Sequence, residues 1–283
     1  MRTALFRIAK QPQENPATSL SSRIRARVVP FPRLLRRVLI ASSGVAVLLA
    51  AWQLAAAAAA PSLLPGPLPV IRAVGELAVK GLLLRYVVAS LFRVTWGYSM
   101  ALVTAVPIGI ALGLSTWAER AFNPFIQLLR PISPLGWIPI AILWFGVGDL
   151  SAIFLIFLAS FLPLAVASMH AVHNLDETNL RAGRNFGLGR LALVRRVILP
   201  AAMPQLLVAM RITLGIAWLV VVAAEMIAVN SGLGFLIVDA RNAGNRYDLV
   251  IAGMLLIGLI GLLLDSGVRR LERIEMRRRG YGA

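Results

Sequence analysis

Few side chains in this 283-residue chain are equipped for chemistry. There is no cysteine, so disulfides, thiolate nucleophiles and thiolate metal sites are excluded. The two histidines, His170 and His173, are spaced i, i+3, and two ligands with no carboxylate beside them make a poor metal site. They read as interfacial polar residues at a helix end. Lysine occurs only at positions 10 and 80, and neither ends a phosphate-loop motif, so any ATP used must bind another polypeptide. What remains are ionisable groups inside apolar sequence: Glu225, Arg93 and Arg211. Such groups face a bundle interior or water and mark pathways or internal ion pairs. Glu225 divides evenly between a path-lining group and a structural partner for Arg93. Arg93 and Arg211 are candidates to attract an anion through a pore, although Arg211 sits where an arginine can snorkel to an interface. Trp137 and Trp144 are candidates to line the same path, against the ordinary role of tryptophan as an interface anchor. Asp149 reads as a capping residue, and Asp265 as the i, i+4 surface partner of Arg269.

The elements that hold these groups follow from composition. The chain is 59% hydrophobic and 14% charged, with mean hydropathy +0.79 and a formal charge of +17. A soluble domain averages about 45–50% apolar and about 25% charged. A soluble enzyme, a disordered basic protein and a nucleic-acid binder are therefore excluded in favour of an all-α polytopic membrane protein. Uncharged runs cover 38–71, 94–118, 131–148 and 150–175. A span needs about 20 apolar residues. Six transmembrane helices are expected, at 38–60, 86–116, 124–146, 150–170, 204–228 and 247–268. The first is 23 residues long, against about 7–15 for a signal-peptide core, and reads as uncleaved. The third starts among Pro131, Pro134 and Pro139, which marks a broken or interfacial start. Residues 61–85 read as a Pro-rich stretch followed by a short amphipathic helix on the outer surface. Gly109 and Gly113, extended backwards by Ala105, form a small-residue motif expected to pack within the chain.

Charge gives the orientation. Residues 1–37 carry nine basic side chains and one acid, residues 176–200 five and two, and residues 269–283 six and two. With both termini cytoplasmic, 23 of the 29 basic residues lie on that side, as the positive-inside rule requires. The domain reading is a basic cytoplasmic arm at 1–37 touching anionic lipid, a six-span domain at 38–268 and a basic cytoplasmic tail at 269–283.

The segment 176–204 is too long and polar for a simple turn. Leu180, Gly183 and Phe186, then Leu191, Val194, Val197 and Ile198, give two short amphipathic helices around Gly187-Leu188-Gly189. Pro200 and Pro204 are expected to end the second helix before span five. The order Ala182-Gly183, three residues, Gly187, nine residues, Val197-Ile198-Leu199-Pro200 resembles the coupling-loop motif E-A-A-x3-G-x9-I-x-L-P of ABC importer permeases. Arg181 stands where that motif has Glu, Gly183 replaces the second Ala and Val197 replaces Ile. Glu177, four residues before Arg181, is placed to pair with it. Residues 123–148 and 209–241 are similar to the nitrate, sulfonate, taurine and bicarbonate permeases.

The resemblance implies a type I importer permease, itself not an enzyme. It implies a second copy of the permease, two ABC ATPase subunits that bind the ATP and Mg, and a periplasmic or lipid-anchored solute-binding protein. It places the chain in a bacterial inner membrane, with no cofactor and no nucleic acid. The substrate it implies is a small oxyanion, a sulfonate such as taurine, or nitrate. The implied ATPase-coupling residues are Arg181, Ala182, Gly183, Gly187, Leu188, Gly189, Arg190, Leu199 and Pro200, with Leu188 to Arg190 in contact and Gly187 as hinge. The Gly232-Leu233-Gly234 turn after span five lies where the family meets its binding protein. The rival reading is an ion-coupled secondary transporter using Glu225, which would also need repeated halves, and none is visible.

Overall fold

The structure, a computed structural model, describes residues 31–59, 64–176, 178, 181, 183 and 185–278, with backbone only at 31–41, 190 and 278. The chain divides into two compact units, Met1–Ala55 and Ala56–Ala283. Helix α1 (Phe31–Ala58) begins in the first. Its 28 residues reach about 42 Å at 1.5 Å per residue. Pro32 sits in the first turn, where its missing N–H costs no hydrogen bond. Most of the arm at 1–37, together with Pro61, Glu177, Ala182 and residues 279–283, lies outside the described residues.

Every regular element among the described residues of the second unit is helical. Helix α2 (Pro67–Val79) is amphipathic and buries Val70, Ala73 and Leu77. Gly81, with φ +68°, turns the chain into α3 (Leu82–Gly113). Then follow α4 (Thr116–Leu129), a 3-10 turn (Pro134–Trp137) with α5 (Ile138–Phe145), and α6 (Asp149–His173). Past the loop come α7 (Arg190–Leu193), a π-helical turn (Val194–Ile198), α8 (Leu199–Ala228), α9 (Leu233–Asn242) and α10 (Tyr247–Arg278).

Among the described residues four helices are long and apolar enough to cross a membrane: α3, α6, the continuous run Leu191–Ala228, and α10. The α4 and α5 pair passes the same test jointly but is bent by 82°, as expected from the prolines in this stretch. Ser42–Ala58 of α1 is a shorter apolar helix. Four of the six expected spans thus have a helix that passes this test, the third corresponds to the bent pair, and the first to the shorter apolar helix; at the fifth the helix bounds differ from those expected. Pro200 and Pro204 do not end the preceding helix, and Leu191–Ala228 runs on unbroken for 38 residues. The π turn explains this correction: it loosens the backbone where the carbonyl of Arg196, four residues before Pro200, would otherwise lack a donor.

Helices α3 and α6 form the spine of the bundle. Gly97, Ala101, Ala105, Gly109 and Gly113 recur every four residues and so line one face of α3. A Cβ on Gly109 would stand 2.3 Å from the carbonyl oxygen of Ala165, and one on Gly113 would stand 2.8 Å from that of Met169. The small-residue motif therefore serves packing within the chain, where the backbones come too close for any side chain. Helix α8 covers the pair, with Ala217, Val221 and Ala224 fully buried. The indole of Trp218 donates to the carbonyl of Ile257 on α10 at 3.1 Å. The bundle thus has two polar ends, one at Asp149 and one at His173.

Candidate functional site

At the His173 end, the loop folds into a knob. Asp176 Oδ1 accepts from the N–H of Thr178 at 2.9 Å, a cap that holds the Asp176 carboxyl below its usual range. Thr178, Arg181, Gly183 and Asn185 are helical, and the chain then turns at Phe186 and Gly187. Gly187 has φ +73°, the left-handed conformation that favours glycine. The N–H of Leu188 returns to the carbonyl of Gly183 at 3.2 Å, closing the turn. Leu188, Leu193, Val197, Ile198 and Leu199 then pack onto Ile110 of α3 and Val172 of α6. Gly183 is buried beneath them; a Cβ there would meet Leu193 Cδ1 at 2.5 Å.

This packing separates the expected coupling residues. Leu188, Leu199 and Pro200 are half-buried, and Gly183 is buried. Arg181, Gly187 and Gly189 face out; only the backbone of Arg190 is described, and Ala182 falls outside the described residues. Phe186 and Leu191, placed by periodicity among the apolar positions of the two short amphipathic helices, are 85% and 81% exposed. The physical reason is the turn at Gly187, which breaks the helical register between the two halves. The amphipathic pattern continues on either side but not across it.

At the Asp149 end, Arg93 and Glu225 meet. Arg93 Nη1 lies 2.6 Å from Glu225 Oε1, with Arg93 1% exposed and Glu225 0%. Glu225 Oε2 accepts from Ser90 Oγ and from the N–H of Gly234, each at 2.9 Å. Arg93 also donates to Asp149 Oδ1, to the carbonyl of Ser231 at 2.8 Å and to the Ser231 hydroxyl. Ser90 Oγ in turn accepts from the N–H of Leu233 at 3.0 Å. Five segments thus meet at one guanidinium and one carboxylate: α3, the start of α6, the end of α8, the 229–232 turn and α9. Gly148 N–H donates to the carbonyl of Ala228 at 2.9 Å and closes the same corner. Among the described residues no buried side-chain nitrogen or oxygen lacks a partner. Asp149 is not the expected cap: Gly148 holds the N-cap position without a side-chain cap hydrogen bond, and Asp149, the first helical residue, binds Arg93 through two nitrogens. Spacing within the sequence does not reveal this, since the partners lie 56 and 132 residues apart.

The remaining candidates are dispersed. Arg211 is half-buried and pairs with Glu272 of α10 at 3.1 Å and Asp265 at 3.7 Å, while Asp265 also holds Arg269. Trp144 is 60% exposed and meets Phe145 and Phe154 edge-on. Trp137 lines a cavity of about 630 Å³ between the bent pair, α6 and Ile216 of α8. His170 lines the same cavity, and His173 pairs with Glu119 at 3.1 Å. No group of three or more metal-ligating side chains occurs among the described residues.

A helical bundle with several spanning helices, a bent span and a knob at one end defines a polytopic membrane transport component. Residues 105–274 match the family described as the binding-protein-dependent transport system inner membrane component, and the chain belongs to it. The chain is 36% identical to the taurine transport system permease protein TauC of Escherichia coli, over 85% of this chain and 90% of that one. It is 35% identical to the putative aliphatic sulfonates transport permease protein SsuC of the same organism, over 81% and 88%. Against the nitrate import permease protein NrtB of Leptolyngbya laminosa it is 36% identical over 64% of each. In fold it is similar to a chain of the MetNI methionine ABC transporter in an inward-facing conformation. That likeness has a TM-score of 0.62 at 21% identity and covers 69% of this chain and 96% of the other. The chain is a transport component and not an enzyme.

Proposed function

We propose that the chain forms the translocation path of an ATP-driven importer for a small oxyanion, a sulfonate such as taurine, or nitrate. A binding protein in the periplasm or on a lipid anchor delivers the solute. Two copies of the permease pair with two ABC ATPase subunits in a bacterial inner membrane. ATP and Mg are held by the ATPase. The six-span reading, with both termini cytoplasmic, is supported by four spanning helices, the bent pair and the apolar stretch of α1, together with the basic segments that flank them. In this orientation the His173 end and the knob are cytoplasmic, and the Arg93–Glu225 end faces outward.

One observation carries the coupling role. Phe186 and Leu191 are large apolar side chains, 85% and 81% exposed, on a knob whose base is packed into α3 and α6. A membrane protein gains nothing by showing them to cytoplasm unless a partner covers them. The rigid base is what lets a push on the knob reach the spans. Arg181 and Gly189, close to the apolar pair in the chain, are exposed as well. The ion-coupled alternative draws little from Glu225, since both of its oxygens are engaged.

The test is copurification. The wild-type chain, tagged and co-expressed with the ATPase encoded beside it, should bring that subunit down. Phe186→Ser with Leu191→Ser should lose the ATPase while keeping the wild-type melting temperature in detergent. Absence of any associated ATPase with the wild type would overturn the importer reading.

A further inference from the structure

The cavity beside the bent span suits one class of anion. It is walled on α6 by Leu158, Leu162, Val166 and His170, four residues at i, i+4 spacing, and faced by Arg130 and Trp137. The break at 130–133 leaves non-helical backbone inside an apolar span. Such backbone is tolerated at membrane depth only where protein covers it or where it borders a water-filled cavity. Acyl chains in the cavity would leave it unsatisfied. A second copy's apolar helix there would leave Arg130 and His170 without solvent. Water, or a solute that brings its own charge, meets both requirements.

The charge pattern is one-sided. Arg130 and His170 both line the cavity, His170 in the last turn of α6, and no acidic residue lines it. Above them the wall is apolar and offers no side-chain donor apart from the indole of Trp137. A bare inorganic oxyanion finds a cation at the lip but loses hydration deeper in. An anion with a short alkyl body leaves its head at Arg130 and buries methylenes against Leu158, Leu162 and Val166, each worth about fourfold in affinity.

We propose that this cavity is the cytoplasmic exit chamber of the path, with Arg130 and His170 as its anion-binding lip, and that it is fitted to alkyl sulfonates rather than to nitrate. This rests on the importer reading and on the orientation given above. It assigns Arg130 and His170 contact with the solute, and Leu158, Leu162 and Val166 selection for an alkyl chain.

The absence of cysteine makes the test direct, because a single introduced thiol is the chain's only one. Val166→Cys, Leu162→Cys and Leu158→Cys, each in the assembled importer in inside-out vesicles, are titrated with sulfonatoethyl methanethiosulfonate and with its trimethylammonium analogue. Wild-type vesicles, loaded with the binding protein and with butanesulfonate, taurine or nitrate, are first assayed for ATP-driven release of the solute, which tests the importer reading separately. The anionic reagent should react faster than the cationic one, with rates falling from position 166 to 158. Arg130→Gln should cut that preference about thirtyfold, because one charge at about 4 Å in water is worth about fivefold in each rate and acts with opposite sign on the two reagents. Butanesulfonate should protect Val166→Cys, and nitrate at equal concentration should not. Unreactive thiols at all three positions in importers that transport would mean that a second copy or lipid fills the cavity, and would overturn the proposal. Equal protection by nitrate would overturn the assignment to alkyl sulfonates.

Discussion

Gly232 stands against the carboxylate of Glu225 with no room for a side chain: a Cβ at this position would lie 2.3 Å from both Cδ and Oε1 of Glu225. The backbone at Gly232 also has φ +104°, which L-residues rarely adopt. One glycine thereby lets the 229–232 turn fold over the acid, so that the next two N–H groups donate to Ser90 and Glu225. The GLG sequence, legible as a tight turn, has this further purpose. It supplies backbone donors to a carboxylate that is out of reach of water. The clasp ties together the ends of α3, α6, α8 and α9 at the Asp149 end of the bundle.

The Arg93–Glu225 pair has the energetics of a buried salt bridge. Removing Arg93 leaves the buried Glu225 charge uncompensated, a cost of about 3–5 kcal/mol in soluble proteins, whereas removing Glu225 leaves Arg93 with the half-exposed Asp149 as its remaining carboxylate. Arg93→Met and Glu225→Leu should each lower the melting temperature in detergent by many degrees and reduce the amount of folded protein. The double variant should recover much of the loss. Melting curves for the four chains form a double-mutant cycle. A double variant as impaired as the sum of the singles would show that the pair is not the unit of stability.

Gly109 tests the helical spine. Its Cα rests on the backbone of α6, and a Cβ would meet the Ala165 carbonyl oxygen at 2.3 Å and Ser168 Cβ at 2.6 Å. Backbone cannot yield as a flexible side chain can. Gly109→Val should therefore exceed the usual overpacking cost of about 1–3 kcal/mol and abolish accumulation of folded protein. Gly183→Ala provides the contrast, because the atom nearest its new Cβ is the mobile Cδ1 of Leu193. It should melt close to wild type. The measurement is the yield of monodisperse protein after solubilisation, compared between the two variants.

Glu76 of α2 binds Arg246 at 2.7 Å and Lys80 at 2.6 Å. These two cations hold its carboxyl down to about 2, from an ordinary value of 4.5. A depressed acid stabilises the folded state above its unfolded value and loses that contribution as pH falls through the folded one. The difference in melting temperature between wild type and Glu76→Gln should be constant from pH 7 to about 4.5 and shrink below that towards pH 2. Melting curves of both chains across this range are the check. A difference that does not change with pH would mean that Glu76 contributes packing rather than charge.

The apolar runs place most of the helices of this fold, because hydropathy is a property of single segments. The knob is legible for the same reason: its glycines, its leucines and its Pro200 lie within 25 residues. Two features are not legible. The partnership of Arg93 with Glu225 and Asp149 joins segments far apart in the chain, and no local spacing encodes it. The exposure of Phe186 and Leu191 depends on how the turn at Gly187 rotates one short helix against the other. Both residues fit an apolar face on paper. Pro200 misleads in the opposite sense: proline forecasts a helix end, and the preceding π turn removes the penalty.

Gly187 is the position where the coupling proposal is most exposed to test. Its φ of +73° is open to glycine, tolerable for asparagine and strained for a β-branched residue. No atom lies within 4 Å of the site of its missing Cβ, so a substitution acts through the backbone alone and not through a clash. Gly187→Val should shift the turn and displace Phe186 relative to Leu191, leaving the spans and their melting temperature nearly untouched. In proteoliposomes with ATPase and binding protein, ATP hydrolysis should continue while solute uptake and its stimulation of hydrolysis fall sharply. Gly187→Asn should retain most of both, since asparagine accepts the left-handed conformation. The pair of variants separates a conformational requirement from a chemical one. If Gly187→Val imports and hydrolyses like the wild type, the turn is not what transmits the stroke, and the rigid-knob account of coupling fails.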